Sequence, residues 1–375
     1  MGRSRTKSKK TSSSLAKSES EQSKPAPSVP ALLEKARELV VQCDYDLARR
    51  FIERILEAEP AHVEAKEMIG VVQLETGDLD AAKQTFTSLL TLADPPPPSA
   101  HLYLAQLSDD DPHLALQHYQ SAVDILMGQL KGKERAVDPN VGKDERTLKG
   151  TAVQALISMV EIWMDPSYDL CDAPEAEQTC ENLLDLALQI DPDNAEALQT
   201  LASVRLSQQR PDEAKEMLER AWAKWKDLEL DDETMPSIET RLSLVKLLLE
   251  LSLFKPALEV LQGIIATDDE SVDAWYLEGW CFFLMAEQAR ESGADIEGLG
   301  WMDLAKDARD CLEMCQMLHA SEGNPDVPML AHVKELIDKL QALGVEPSEE
   351  GPEDDDDGWE DVDGSDDEDG DVEMS

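Results

Sequence analysis

Apolar residues recur at three- and four-residue spacing through most of this chain, and no stretch alternates with the period of two that marks a half-buried strand. The pattern predicts an all-α chain of fifteen helices. Fourteen of them pair in sequence order: 31–42 with 46–58, 62–76 with 79–93, 99–108 with 112–128, 148–164 with 174–190, 195–208 with 211–230, 237–251 with 254–267, and 274–290 with 301–319. A last helix over 327–343 carries Leu330, Val333, Leu336, Ile337 and Leu340 on a single stripe, as a helix with one buried face does. Asp44 and Asp46, Gly77 with Asp78, and Pro211 with Asp212 punctuate the turns, and Pro95 to Pro98 impose an extended break. The charged, glycine-containing stretch near 128–147 reads as an insertion loop.

The pairs share a 34-residue beat. With a repeat starting at Val29, Pro60 falls at place thirty-two; from Val63, Gly70, Gly77, Ala82 and Phe86 fall at places eight, fifteen, twenty and twenty-four. From Ala195, Leu198, Leu201, Ala202, Ala214, Leu218 and Ala221 take places four, seven, eight, twenty, twenty-four and twenty-seven. Small residues at places eight and twenty let two helices approach closely. This period marks a tetratricopeptide (TPR) array, a superhelical solenoid of stacked helix pairs whose first helices line a groove for another protein. About seven pairs over residues 31–345 are expected as one elongated domain, with 327–343 covering the last apolar face.

Charge refines this picture. Residues 1–30 hold seven Lys or Arg against two Glu and end in Pro25, Pro27 and Pro30, while residues 346–375 hold seventeen Asp or Glu and no basic residue. Both compositions are too polar to bury, so a disordered basic start and a disordered acidic tail are expected. The rest of the chain carries 27 basic and 61 acidic residues, so most of the net −46 belongs to the helical body. Direct nucleic-acid binding needs phosphate-neutralising Lys and Arg, and this sign argues for a basic protein partner instead. The cluster Arg3, Arg5, Lys7, Lys9 and Lys10 matches a nuclear import signal and equally a chance basic run in a polar terminus. Gly2 with Thr6 fits an acylation pattern, but an anionic leaflet would repel this acidic chain. No membrane span, no membrane partner and a monomer are expected, in cytoplasm and nucleus.

Catalytic patterns are missing. His62, His101, His113, His118, His319 and His332 show no zinc-protease spacing, and no glycine-rich phosphate loop follows a strand. Cys43, Cys171, Cys180, Cys281, Cys311 and Cys315 form no Cys-x-x-Cys pair, and Cys311 with Cys315 reads as a helix-seam pair of thiols rather than metal ligands. No enzymatic activity, cofactor or metal is expected. Places two, five, nine, twelve and thirteen of each first helix point into a TPR groove. They select Glu64, Glu67, Val71, Leu74 and Glu75 in the second repeat, Glu239, Leu242, Lys246, Leu249 and Glu250 in the sixth, and Asp273, Tyr276, Trp280 and Phe283 in the seventh. The acids suit Arg and Lys, and the aromatic residues suit aliphatic stems or rings. This sign is opposite to that of the TPR grooves that clamp the acidic C-termini of heat-shock chaperones.

Glu161 to Cys180, Thr200 to Ala214 (TLASVRLSQQRPDEA) and Ala274 to Phe283 (AWYLEGWCFF) go beyond the generic repeat, notably in Arg205-Leu206-Ser207-Gln208 and Arg210-Pro211. In these stretches the chain resembles the fungal assembly chaperones of large-subunit ribosomal protein four, a resemblance spanning roughly 30–345. It implies seven TPR repeats, a cytoplasmic and nuclear itinerary, and capture of a long basic extension of one newly made ribosomal protein until its incorporation into pre-ribosomes. A histone chaperone, or a generic TPR scaffold for a basic nuclear protein, is the alternative reading. Histone chaperones are expected to hold their acidic run within the repeats, whereas this run is terminal.

Overall fold

The computed structural model describes residues 27–133, 141–232, 234–320 and 326–347. The expected basic start and acidic tail lie almost wholly outside the described residues. The described residues form fifteen α-helices: α1 (Val29–Val41), α2 (Tyr45–Ala58), α3 (Val63–Glu75), α4 (Leu79–Leu89), α5 (Pro98–Gln106), α6 (Pro112–Lys133), α7 (Val141–Met164), α8 (Ala176–Ile190), α9 (Ala195–Ser207), α10 (Pro211–Trp222), α11 (Ile238–Glu250), α12 (Phe254–Ile265), α13 (Val272–Ser292), α14 (Trp301–His319) and α15 (Val327–Ala342). Among the described residues there is no strand beyond one isolated bridge between Ile296 and Leu299. The fold is an all-α TPR solenoid.

Several starts are capped by a side chain that takes up an otherwise unpaired N–H group. The carboxylates of Asp44, Asp78, Asp111 and Asp326 accept from Leu47, Ala81, Leu114 and Met329 at 3.0–3.3 Å. Asn194 accepts from Ala197 at 2.9 Å. The turn between the two helices of a repeat has one recurring form. Cys43, Gly77, Gln209 and Ser252, all at place fifteen, adopt left-handed φ of 58°, 78°, 59° and 56°. The next residue's N–H then reaches back five residues: Asp44 to Leu39, Asp78 to Gln73, Arg210 to Arg205 and Leu253 to Leu248, at 2.8–2.9 Å. This Schellman closure satisfies carbonyls that the ending helix would leave unpaired.

Close packing follows the same beat. At place twenty, Ala48, Ala82, Ala214 and Ala257 are fully buried, as are Ile52, Phe86, Leu218 and Leu261 at place twenty-four. A Cβ added at Gly70 would lie 2.7 Å from Phe86 Cζ, and one added at Gly279 would lie 2.8 Å from Leu312 Cγ, so both helix pairs meet closer than any side chain allows.

The chain divides into two units, one ending at Leu170 and one starting at Cys171. In the first, α7 packs on α6; in the second, α8 packs on α9. Helix α7 thus belongs to the first unit and α8 to the second. The link of 165–175 replaces the tight Schellman turn found elsewhere.

The stretch near 128–147 is largely helix, because α6 runs to Lys133 and α7 begins at Val141, with 134–140 outside the described residues. Gly128, Gly132 and Gly150 face open space, where glycine costs only helix propensity, while Leu126 and Leu130 are buried. Finally, α10 ends at Trp222 instead of continuing to 230. The N–H groups of Lys224 and Trp225 bond to carbonyls three residues back, which turns the chain out of the helix.

In the second unit one continuous core joins the helices from α9 onward. Helix α15 packs on α13 and α14, burying Val333, Leu336 and Leu340, and so occupies the position a next first helix would take. It covers the last apolar face, as the stripe predicts.

Candidate functional site

The first helices carry the residues that the repeat register selects. In the first unit these lie on α3. Glu64 accepts from Arg37 Nε of α1 at 3.0 Å, and Arg37 also donates to Glu34 at 3.0 Å. Glu67 accepts from the hydroxyl of Ser99 at the start of α5, and Glu75 accepts from Tyr45 at 3.3 Å. Val71 and Leu74 are half-buried against the core formed with Phe86 and Leu104. All three acids that the register selects here are thus engaged by neighbouring repeats. The side of Tyr103 makes the local sign plain: burial first, then the charges of Glu75 and Glu67, push its phenol up.

In the second unit α11 and α13 are adjacent. Glu239, Glu250 and Asp273 are exposed, and among the described residues none of them forms an ion pair. Glu239 sits in the first turn of α11, where its own backbone N–H and the Ser237 hydroxyl hold its carboxyl below the usual range and therefore ionised. Lys246 is exposed on the same helix between Glu239 and Glu250, so the face is acidic without being uniformly so. Leu242 and Leu249, which the register also selects, are 8% and 4% exposed and belong to the core.

The aromatic residues of α13 divide. Tyr276 and Trp280 are half-buried and stack on each other, with ring centres 6.0 Å apart and planes 24° from parallel. His332 of α15 meets both edge-on, at 5.9 Å and 5.8 Å. Burial first, then the charges of Cys315, Asp326 and Asp273, raise the Tyr276 phenol, so it remains a neutral donor.

Phe283 is a correction. It is 4% exposed and lies in the seam with Ala286, Trp301, Ala305 and Leu340, with Lys339 Nζ 6.0 Å from its ring centre. It is a core residue under the capping helix and cannot face a partner. Place twelve turns into the core here, as it does at the buried Leu249 of the sixth repeat.

Sequence reasoning missed His332. It lies on the polar side of the α15 stripe, and only the docking of α15 onto α13 brings it to Tyr276. The Cys311–Cys315 pair is buried as expected for a helix seam, and the Cys311 thiol lies 3.7 Å from Glu278 Oε2. Burial raises both the Cys311 thiol and the Glu278 carboxyl. Among the described residues no group of three potential ligands could hold a metal, and no helix is long and apolar enough to cross a membrane.

The tetratricopeptide repeat family matches residues 33–100 and 172–227. A protein of Emericella nidulans called a probable assembly chaperone of rpl4 is 32% identical over 359 residues, covering 88% of each chain. Its counterpart of the same description in Schizosaccharomyces pombe is 33% identical over 286 residues, covering 75% of this chain and 81% of that one. Among solved structures, residues 1–338 of the assembly chaperone of RpL4 superpose with a TM-score of 0.62 at 30% identity, covering 72% of this chain and all of that one.

Proposed function

The chain belongs to the family of assembly chaperones of rpl4, and on that premise we propose that it escorts this ribosomal protein by masking a basic extension on its acidic first-helix face. The observation that carries the residue-level part is the set of exposed carboxylates of Glu239, Glu250 and Asp273, which form no ion pair among the described residues, beside the half-buried Tyr276 and Trp280. A basic extension supplies what they lack. Arg or Lys heads pair with the acids while their stems lie along the aromatic edge. Each exposed pair is worth well under about 1 kcal/mol, so the complex gathers affinity from many contacts and lets it go when RNA phosphates compete. Glu64, Glu67 and Glu75 extend the acidic field in their own unit, but their existing partners, Arg37 above all, must be displaced before they pair with a client.

The proposed work is binding and shielding, without turnover or cofactor. It places the protein in the cytoplasm, where the client is made, and in the nucleus, where pre-ribosomes assemble. Affinity purification of the tagged chain at moderate salt, with identification of what is enriched, tests the assignment. Enrichment of rpl4 above other basic proteins is expected. Enrichment of histones in its place would move the acidic face to the histone-chaperone reading.

A further inference from the structure

Places five and nine of the first helices carry Gln199 and Ser203 in the fifth repeat and Leu242 and Lys246 in the sixth, but Tyr276 and Trp280 in the seventh. The stacking of helix pairs therefore does not require two rings there. Both rings stay half-buried, while the core residues Leu277 and Cys281 beside them on α13 are at most 1% exposed. The Tyr276 hydroxyl is engaged by Nδ1 of His332 at 2.8 Å, and His332 stands edge-on to both rings. What the pair still offers a client is ring surface rather than a hydroxyl.

Helices α13 and α15 run side by side in the same direction, because Tyr276 meets His332 and, two turns on, Phe283 meets Lys339 at the same separation in sequence. Their N-terminal ends therefore lie together. Asp273, in the first turn of α13, and Asp326, the N-cap of α15, are both exposed there, and among the described residues neither forms an ion pair. Asp273 precedes Tyr276 by three residues and so shares its face of the helix. Burial is the largest cause that raises the Tyr276 phenol, and the charges of Asp326 and Asp273 add to it, as carboxylates close to the ring do. Lys246 takes place nine of α11 as Trp280 does of α13, so the attraction for a cation is strongest toward the N-terminal end of the face.

We propose that the junction of α13 with the capping helix is a subsite for one arginine side chain of the basic extension: its stem crosses Trp280, its guanidinium lies on the Tyr276 ring, and its N–H groups donate to Asp273 and Asp326. The 6.0 Å between the two ring centres suits the length of an arginine stem and head laid along them. A guanidinium is flat, weakly hydrated and able to stack and donate at once. A lysine ammonium keeps the charge pairing but not the flat contact, and it surrenders more hydration. An apolar side chain uses the rings and leaves both carboxylates without a cation. The subsite belongs to the client face of the second unit and so rests on the chaperone reading, to which it adds the side chain that is selected and the place that selects it.

The test is titration of the full chain, at one salt concentration, with fluorescent peptides of the rpl4 extension in which one arginine at a time is replaced by lysine. One position should weaken binding about tenfold, and the others should stay within about twofold. In Trp280→Leu and in Asp273→Asn the unaltered peptide should bind more weakly, and the lysine penalty at the sensitive position should fall toward none. A merely structural role for Trp280 would weaken every peptide alike and leave that ratio as it was. Asp326→Asn is a further charge variant that spares the fold, since an asparagine oxygen caps a helix as well as a carboxylate does. If no peptide binds the parent chain, the chaperone reading fails and the subsite with it. If the peptides bind but every exchange of arginine for lysine is neutral, or the sensitive position keeps its full penalty in all three variants, the subsite is overturned while the chaperone reading stands.

Discussion

The hydroxyl of Tyr276 and Nδ1 of His332 lie 2.8 Å apart and tie α13 to the capping helix α15. The repeat register assigns Tyr276 to the partner-binding face, yet part of its surface is already spent inside the chain. Tyr276→Phe removes the hydrogen bond and keeps the stacking, so it should cost about 0.5–1.5 kcal/mol of stability. Hydrogen exchange should show the loss first at α15, as faster exchange of its amides, with α9 and α10 unchanged. Equal loosening throughout the second unit would mean that the cap is not a separable element.

At place fifteen the left-handed turn falls on glycine only at Gly77, whereas Cys43, Gln209 and Ser252 hold the same φ with side chains. A left-handed residue other than glycine costs about 1–2 kcal/mol, partly offset by the entropy that glycine loses on folding. Gln209→Gly and Ser252→Gly should therefore each stabilise the second unit by up to about 1 kcal/mol, read as a higher denaturation midpoint at unchanged slope. Gly77→Ala should do the reverse in the first unit.

His101 and His118 face each other across α5 and α6 with their Nδ1 atoms 3.1 Å apart, so one donates and the other accepts. Burial lowers the pKa of both, helped by the charge of His118 on His101 and of Lys83 on His118. A depressed histidine pKa means that the unfolded state binds more protons between the two pKa values. Stability from this pair is whole above the ordinary histidine value of about 6.5 and is lost as pH falls through the folded values. Unfolding of the first unit should become easier from pH 7 toward pH 5, and His118→Gln should flatten that dependence. An unchanged slope in the variant would assign the effect to other groups.

The order of the helices was legible because each repeat spends the same few places on the same contacts. Ala48, Ala82, Ala214 and Ala257 mark the close approach of helices, and the stripe of α15 marks a face needing cover. The recurring turn was legible only at Gly77, since Cys43, Gln209 and Ser252 carry no turn signal of their own; the hydrogen bonds around them enforce the conformation. The glycines of 128–150 suggested a loop, but exposed glycines are tolerated in a helix whose other face buries Leu126 and Leu130. At the candidate site, the exposed acids follow from periodicity alone. The fates of Phe283 and His332 depend on where a helix far along the chain docks, which spacing within one repeat does not encode.

The central claim is that a specific face of the second unit, rather than general acidity, holds the client. The direct measurement is the affinity of the full chain for a fluorescent peptide of the basic extension of rpl4, at one fixed salt concentration, for three proteins of equal net-charge change per site. Besides the parent, these are a groove variant with Glu239→Lys and Glu250→Lys and a control with Glu216→Lys on α10 and Glu259→Lys on α12, both exposed. Glu213 is unsuitable as a control because it pairs with Arg210 at 2.6 Å. With helicity unchanged, the groove variant should bind about tenfold more weakly or worse, and the control should stay within about threefold of the parent. Equal losses in the two variants would contradict the account and show the chain acting as a diffuse polyanion.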